Sequence, residues 1–441
     1  MTPKKLFVLA LDGVPFTLLQ KQIQTGLMPN LRRLADRYGL RQMDSVIPPV
    51  SSVAWASFMT GKLPHKHGIW GFVDRDPFTM DWYVPRTDRL RVPTLWERLS
   101  KLKKRVFVMN VPLTTPPQPV NGIVIGGFLE TDIDKATYPP QIATLLKARG
   151  YRIDADTEIA KQDLTAFVRH LNDVLDKRIE TMWYFWQREP WDFFMLHVME
   201  TDRLHHFLWE YAANNDPHFD PLFNAFYTKI DHFIGRVWEA VSDTHSLLLL
   251  SDHGFTTLKK EVYLNRWLYD NGYLSFSGHL PQSLKDMHPA SKAYSLYPGR
   301  IYVNLIGREK IGSVKAGVEY ERLTERLTQD LGNLHDPETG TPIIKSVHRS
   351  TNVVMGKTVI SGKGISPNRA DAYLPDLIAV PNEGYDLKGN LWHPRLFDKT
   401  HFNGMHTSDD AFLLSAGVPL PDERLAIHTL MSHILNFMAV K

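Results

Sequence analysis

The 441-residue sequence predicts an α/β fold: a doubly wound, mostly parallel sheet with helices on both faces and an inserted cap subdomain. Three observations carry that expectation. First, seven short runs are apolar almost without interruption: LFVLAL (6–11), VFVMNV (106–111), IVIGGF (123–128), FFMLHV (193–198), SLLLLS (246–251), DLIAV (376–380) and AFLLSAG (411–417). Strands buried on both faces lose the apolar/polar alternation of a half-exposed strand. Second, helical patterns lie between them, at 28–39, 94–104, 167–187 and 223–241. Strand–helix alternation is the pattern of a parallel sheet with crossovers. Third, the stretch 256–372 breaks this rhythm. It carries Pro/Ser/Gly-rich segments (SFSGHLPQSL, YSLYPGR), strands expected at 300–305 and 342–348, and a helix at 318–334. We read 256–372 as the cap, and 1–255 with 373–441 as the core, the sheet resuming at PDLIAV.

Composition narrows the function. Apolar residues make up 43% and charged residues 22%, the balance of a globular protein. A net charge of +3, with no basic tract, does not argue for binding to duplex nucleic acid. There are no cysteines, which excludes disulfides, thiolate nucleophiles and iron–sulfur clusters. A metal would need His, Asp, Glu or hydroxyl ligands, which suits zinc, manganese or iron(II). The first apolar run, Leu6 to Leu11, is too short for a signal-peptide core, and no run of about 18 apolar residues suggests a membrane span. The expectation is a cytoplasmic protein of undetermined oligomeric state.

Ligands bind at the carboxyl ends of strands in open α/β sheets. Asp12 ends the first strand, Glu200, Thr201 and Asp202 follow FFMLHVM, and Asp252 and His253 end SLLLLS. Asp202 and His206 are four residues apart, one helical face, whereas His205 would point elsewhere to the helix surface. His406 sits in GMHTSDDAFLLSAG, just before a strand. Asp12, Asp202, His206, Asp252, His253 and His406 together make three carboxylates and three imidazoles, an inventory for two ions about 3.5–4 Å apart. VAWASFMTG reads as a helix with Ser51 and Ser52 at its start, where free N–H groups favour a phosphate. A serine there, beside a metal, can attack phosphorus.

The set LALDG, PPVSSVAWASFMTG with HGI five residues on, ETDRLHH, SDHGF and GMHTSDD resembles the alkaline phosphatase superfamily. It is closest to the type I phosphodiesterase/nucleotide pyrophosphatase branch and its prokaryotic phosphohydrolase or phosphomutase relatives. The resemblance covers nearly the whole chain, and five motifs in order are specific where one alone is not. It implies one metal held by Asp202, His206 and His406, and another by Asp12, Asp252 and His253 together with the nucleophile oxygen. In that family the nucleophile, Thr or Ser, lies nine residues before the Thr of the Thr-Gly pair, so the resemblance implies Ser51, nine before Thr60, with Ser52 the runner-up. Many nucleotide pyrophosphatases carry an asparagine after HGI, where this chain has Phe72. No counterpart of the phosphomonoester-binding arginine is found, which tilts the reading toward diesters. SSVAW does not fit the sulfatase pattern.

The expectation is therefore a metal-dependent phosphoester hydrolase acting on small-molecule phosphodiesters or nucleotide phosphoanhydrides through a phosphoseryl intermediate, with two divalent ions, zinc before manganese or iron. A monoesterase or phosphomutase on the same metals is the alternative, and a non-catalytic binding protein the rival from another class. Each ligand has an ordinary structural role open to it: Asp12 a turn, Asp202 and Ser51 helix caps, His253 and His406 loop residues. His65 and His67 read as turn structure, Lys62 as solvated, and the aromatic run 182–194 as core. His393, Arg395 and His401 are weak candidates for a substrate pocket.

Overall fold

The computed structural model describes residues 4–241, 245–278, 280–350 and 371–439. Position 279 of SFSGHLPQSL and the stretch 351–370 of the expected insertion lie outside the described residues. Two compact units result. One comprises Met1–His67, Arg86–Thr257 and His401–Lys441; the other comprises Gly68–Pro85 and Leu258–Thr400. The second unit thus takes in a short early segment, and it runs on to Thr400 rather than ending at 372.

The first unit is built on an eight-stranded sheet. Its strands are β1 (Leu6–Leu11), β2 (Arg41–Met43), β3 (Val106–Val111), β4 (Gly122–Gly126), β5 (Thr137–Tyr138), β6 (Phe193–Val198) and β7 (Ser246–Leu250). A two-stranded ribbon of β8 (Gly254–Thr257) and β9 (Gly404–Thr407) follows, and β10 (Ala411–Ala416) returns to the sheet. The order is β2-β10-β7-β1-β6-β3-β4-β5. Strands β7, β1, β6, β3 and β4 run parallel. β10 lies antiparallel to β7, and β5 antiparallel to β4. Every residue of β1, β3 and β6 is buried, which accounts for their unbroken apolar runs. Phe107 of β3 and Phe194 of β6 stack at 4.3 Å between ring centres.

The longer helices of this unit are α1 (Phe16–Gln24), α2 (Pro29–Tyr38), α3 (Ser51–Thr60), α4 (Leu95–Lys101), α5 (Ile142–Ala148), α6 (Leu164–Arg188), α7 (Glu200–Ala213), α8 (Phe219–Val241) and α9 (Leu430–Ala439), with short helical turns at Pro64–His67 and Glu158–Gln162. Thr94 starts α4 with a capping box to Glu97. All ten residues of α3 are buried, as its apolar, small-residue sequence requires. Among the described residues, no helix is long and apolar enough to cross a membrane.

One strand departs from expectation. DLIAV does not resume the main sheet. Leu377–Pro381 pairs antiparallel with Arg300–Val303 and Ile344–Arg349 in the four-stranded sheet of the second unit. An unbroken apolar run reports burial and carries no information about which sheet buries it.

The second unit holds a buried ionic cluster. Asp376 accepts from both terminal nitrogens of Arg308 (2.9 and 2.6 Å), from the Val303 N–H (2.6 Å) and from the Tyr320 hydroxyl (2.8 Å). Arg308 also donates through Nε to Glu309, which pairs with Arg75. Removing one partner of a buried pair leaves the other charge stranded. Asp376→Ala is expected to destabilise by about 3–5 kcal/mol. Urea unfolding checks this through a lowered midpoint at unchanged slope.

Candidate metal and phosphoryl-transfer site

The strand order explains why the predicted residues meet. β1 lies between β6 and β7, so the loops leaving their carboxyl ends are neighbours. The Asp12 N–H donates to the Val198 carbonyl (3.0 Å), joining two of those ends. Gly13 follows with φ +67°, and a Cβ there would stand 2.7 Å from the Phe255 ring. Only glycine turns the chain so tightly here, and its N–H reaches Asp252 Oδ1 at 3.0 Å.

All seven predicted site residues belong to the first unit and converge. Ser51 Oγ donates to Asp12 Oδ1 at 3.1 Å and lies 3.3 Å from His253 Nε2. His253 Nε2 is 3.4 Å from Asp252 Oδ2 and 3.6 Å from Asp12 Oδ1. Asp202 Oδ1 stands 3.2 Å from His406 Nε2 and 3.5 Å from His206 Nε2. The two Nε2 atoms of His206 and His406 are 3.0 Å apart, and the rings of His253 and His406 stack at 3.7 Å. The ribbon β8–β9 delivers His406, which pairs in register with Phe255. Ligand atoms of Asp12, Asp252 and His253 lie within 4.8 Å of one another, and so do those of Asp202, His253 and His406. His253 therefore bridges the two groups, and His206 stands beside the second.

The donor set fits a cation. Each of the three imidazoles hydrogen-bonds a backbone carbonyl through Nδ1: His253 to Gly254 (3.1 Å), His206 to Gly404 (3.2 Å) and His406 to Pro49 (2.9 Å). A carbonyl only accepts, so Nδ1 carries a proton in each ring and Nε2 is the nitrogen turned toward the site. Burial, then the neighbouring His406, pushes the His253 pKa down to about 3, so that ring is neutral. Among the described residues, Asp202 Oδ1 and Asp252 Oδ2 are buried without a hydrogen bond. Burial and the facing Asp12 raise the Asp252 carboxyl well above the carboxylate range. For Asp12, burial is the largest influence and acts upward, but the hydrogen bond from His197 and the neighbouring His197 and His253 rings together outweigh it, and the net shift is downward. Three buried carboxylates close together, two of them with an oxygen lacking a hydrogen bond among the described residues, are what bound cations relieve.

Several supporting residues were not anticipated. Trp55 Nε1 (2.7 Å) and His197 Nε2 (2.8 Å) both engage Asp12 Oδ2, leaving Oδ1 for Ser51. His197 was legible as the one polar residue in FFMLHV; Trp55 left no such sign. Thr201 Oγ1 donates to the Asp12 carbonyl at 2.6 Å. Arg203 donates to Asp202 Oδ2 (3.3 Å) and is itself gripped by Asp154 (2.6 and 3.2 Å), over the Phe128 ring.

Other readings need revision. His205 is not on the helix surface. It is buried, with Nδ1 on the Gly13 carbonyl (2.9 Å) and Nε2 against the Tyr227 hydroxyl (2.7 Å), because α7 packs on α8 along that face. Glu200 does not join the acidic rim, since Arg178 holds both its oxygens (2.9 and 3.1 Å). Ser51 does not cap α3: Val50 is the N-cap residue and no side chain caps the helix. Asp202 lies inside the first turn of α7, behind the N-cap residue Met199. Ser52 Oγ is buried without a hydrogen bond. His67 meets Ser57 Oγ at 2.9 Å, in keeping with a structural turn, and Lys62 is exposed. His393 stacks on Tyr263 within the second unit, Arg395 pairs there with Asp398, and His401 is exposed.

Comparison with known proteins follows this geometry. Phosphonoacetate hydrolase from Sinorhizobium meliloti 1021, solved with phosphonoformate, superposes with a TM-score of 0.64 at 16% identity, covering 99% of this chain and 96% of that one. Human ectonucleotide pyrophosphatase/phosphodiesterase 5 gives 0.55 at 13% identity over the same shares. An inactive form of the murine counterpart, in complex with AMP, gives 0.57 at 13%. These likenesses show the fold. No curated protein matches the chain. The sequence model of the type I phosphodiesterase/nucleotide pyrophosphatase family matches residues 6–409. With that match over nearly its whole length, the chain belongs to the type I phosphodiesterase/nucleotide pyrophosphatase family of hydrolases.

Proposed function

We propose that this hydrolase acts on phosphodiesters or nucleotide phosphoanhydrides, with Ser51 as nucleophile and Asp12, Asp202, His206, Asp252, His253 and His406 holding two divalent ions. The observation that carries the proposal is the convergence of three imidazole Nε2 atoms and two carboxylate oxygens that lack a hydrogen bond among the described residues, beside one serine hydroxyl. When bound, zinc, or manganese or iron(II) in its place, would supply Lewis acidity and neutralise developing charge.

The chain's own residues do the rest. The Ser51 hydroxyl donates to Asp12 Oδ1, and with His253 Nε2 turned to the ions Asp12 is the acceptor that faces the Ser51 proton. The Ser51 Oγ–P bond forms as the bond from phosphorus to the leaving oxygen breaks. Water then attacks phosphorus, the Oγ–P bond breaks, and serine is regenerated. The uncapped amino terminus of α3 turns its dipole toward the phosphoryl oxygens. With Phe72 in place of the family's asparagine, the amides of α3 are the donors we assign to those oxygens.

The test is metal analysis together with a substrate screen. About two transition-metal ions per chain are expected, with bis-p-nitrophenyl phosphate turned over faster than the monoester. A faster monoester would move the assignment to a monoesterase or phosphomutase. Phosphonoacetate belongs in the same screen, as the substrate named for a protein of this fold. Neither metal nor turnover would point to a binding protein.

Arg203 and Asp154 would act as positioning residues by holding Asp202 Oδ2 so that Oδ1 faces the ions. Asp154→Asn should weaken metal binding about tenfold or more, the usual effect of losing an outer-shell partner. Competition against a chromophoric chelator measures it, and unchanged affinity would remove Asp154 from the site.

A further inference from the structure

We propose that the first unit carries a second anion-binding site, built from three arginines over the carboxyl-terminal face of α6, that takes a compact polyanion bearing phosphoryl or carboxylate groups. A cavity of about 370 Å³ is lined by Ile179, Glu180, Trp183, Tyr184, Gln187 and Arg188 of α6, with Arg149 and Arg236. The α6 residues form two rows at four-residue spacing, one continuous helical face. Arg149 follows α5 at its C-cap, and Arg236 comes from α8. Three separate elements therefore send a guanidinium to one place.

The arginines are held by rings rather than by acids. Arg149 and Arg188 both lie over Tyr184, at 4.5 and 4.2 Å from its centre, and Arg236 lies over Trp183 at 5.2 Å. Arg188 spends one nitrogen on the Tyr184 carbonyl at 3.5 Å. The one carboxylate lining the cavity, Glu180, pairs with Lys177 at 2.9 Å. Among the described residues, none of the three arginines is in an ion pair. Stacking fixes a guanidinium's plane while leaving its edge N–H groups to donate. Two further donors, Arg149 Nε and Trp183 Nε1, are buried with no hydrogen bond. Like charges gathered round one ring, with donors unmet, are what an oxyanion with two or more charges satisfies. A cavity of this size admits a small molecule. None of these residues is among the proposed metal ligands, so the site stands or falls independently of the phosphoryl-transfer reading.

The experiment titrates the full-length, metal-loaded protein with benzene-1,3,5-tricarboxylate and, separately, with pyrophosphate, reading hydrogen exchange of the α6 carboxyl-terminal segment. The tricarboxylate cannot be hydrolysed. Saturable slowing of exchange there is expected. In the Arg149→Gln/Arg236→Gln variant the affinity should fall at least about tenfold per arginine, with phosphodiester turnover unchanged. Protection by pyrophosphate alone would assign the site to phosphoryl groups, and protection by both to polyanions generally. No protection in wild type by either probe, or equal affinity in the variant, would overturn the proposal.

Discussion

Ser51→Ala is expected to lower turnover of a phosphodiester by about a thousandfold or more, with metal content unchanged. The magnitude is that of deleting a nucleophile whose neighbours stay in place. Ser51 is 2% exposed and, among the described residues, its Oγ hydrogen-bonds Asp12 and His253, so alanine removes one hydroxyl from a site whose charged groups are tied elsewhere. Asp12 keeps Trp55 and His197 on Oδ2, and His253 keeps the Gly254 carbonyl on Nδ1. The loss should appear in kcat with metal stoichiometry intact. Ser52→Ala is the matched control. One residue along a helix turns the side chain by about 100°, and among the described residues Ser52 Oγ has no hydrogen bond to the site. A Ser51→Ala protein that still turns over, with Ser52→Ala inactive, would transfer the role to Ser52. Activity in both would leave water as the direct attacking group.

Most of this site was legible because its residues stand at strand ends. Asp12, Asp252 and His253 interrupt runs that are otherwise apolar, and polar groups in that position need a reason. Asp202 and His206 carry their own geometry in the four-residue spacing. What the sequence could not show was how these side chains are oriented. The Nδ1 partners of His206, His253 and His406 are backbone carbonyls, which leave no mark in side-chain identity. Arg203 and Asp154 are far apart in sequence and meet only in the fold. His205 was misplaced for the same reason, because its partners Gly13 and Tyr227 come from other elements. The second unit was the least legible part. Its segment at 68–85 returns to it across a long stretch of the first unit, and DLIAV has the same apolar run as a strand of the main sheet.

Asp252→Asn should separate metal binding from folding by moving them in opposite directions. Asp252 Oδ1 is held by the Gly13 N–H, so an amide oxygen would take that bond and present its NH2 where Oδ2 now faces His253 Nε2. A donor then replaces a ligand, and one negative charge is lost. Metal affinity should fall at least about a hundredfold, more than for an outer-shell residue, and turnover should fall with it. The metal-free protein should respond the other way. Burial and the facing Asp12 hold the Asp252 carboxyl well above its ordinary range. A raised carboxyl stabilises the fold while protonated, and that contribution is lost as pH rises through its folded-state value. Chelator-treated wild type should therefore lose stability toward neutral pH, and Asp252→Asn should not. Melting temperature against pH, with and without metal, reads both effects. A variant that binds metal normally would remove Asp252 from the ligand set. A variant as pH-sensitive as wild type would show that repulsion at this carboxylate is not what the cations relieve.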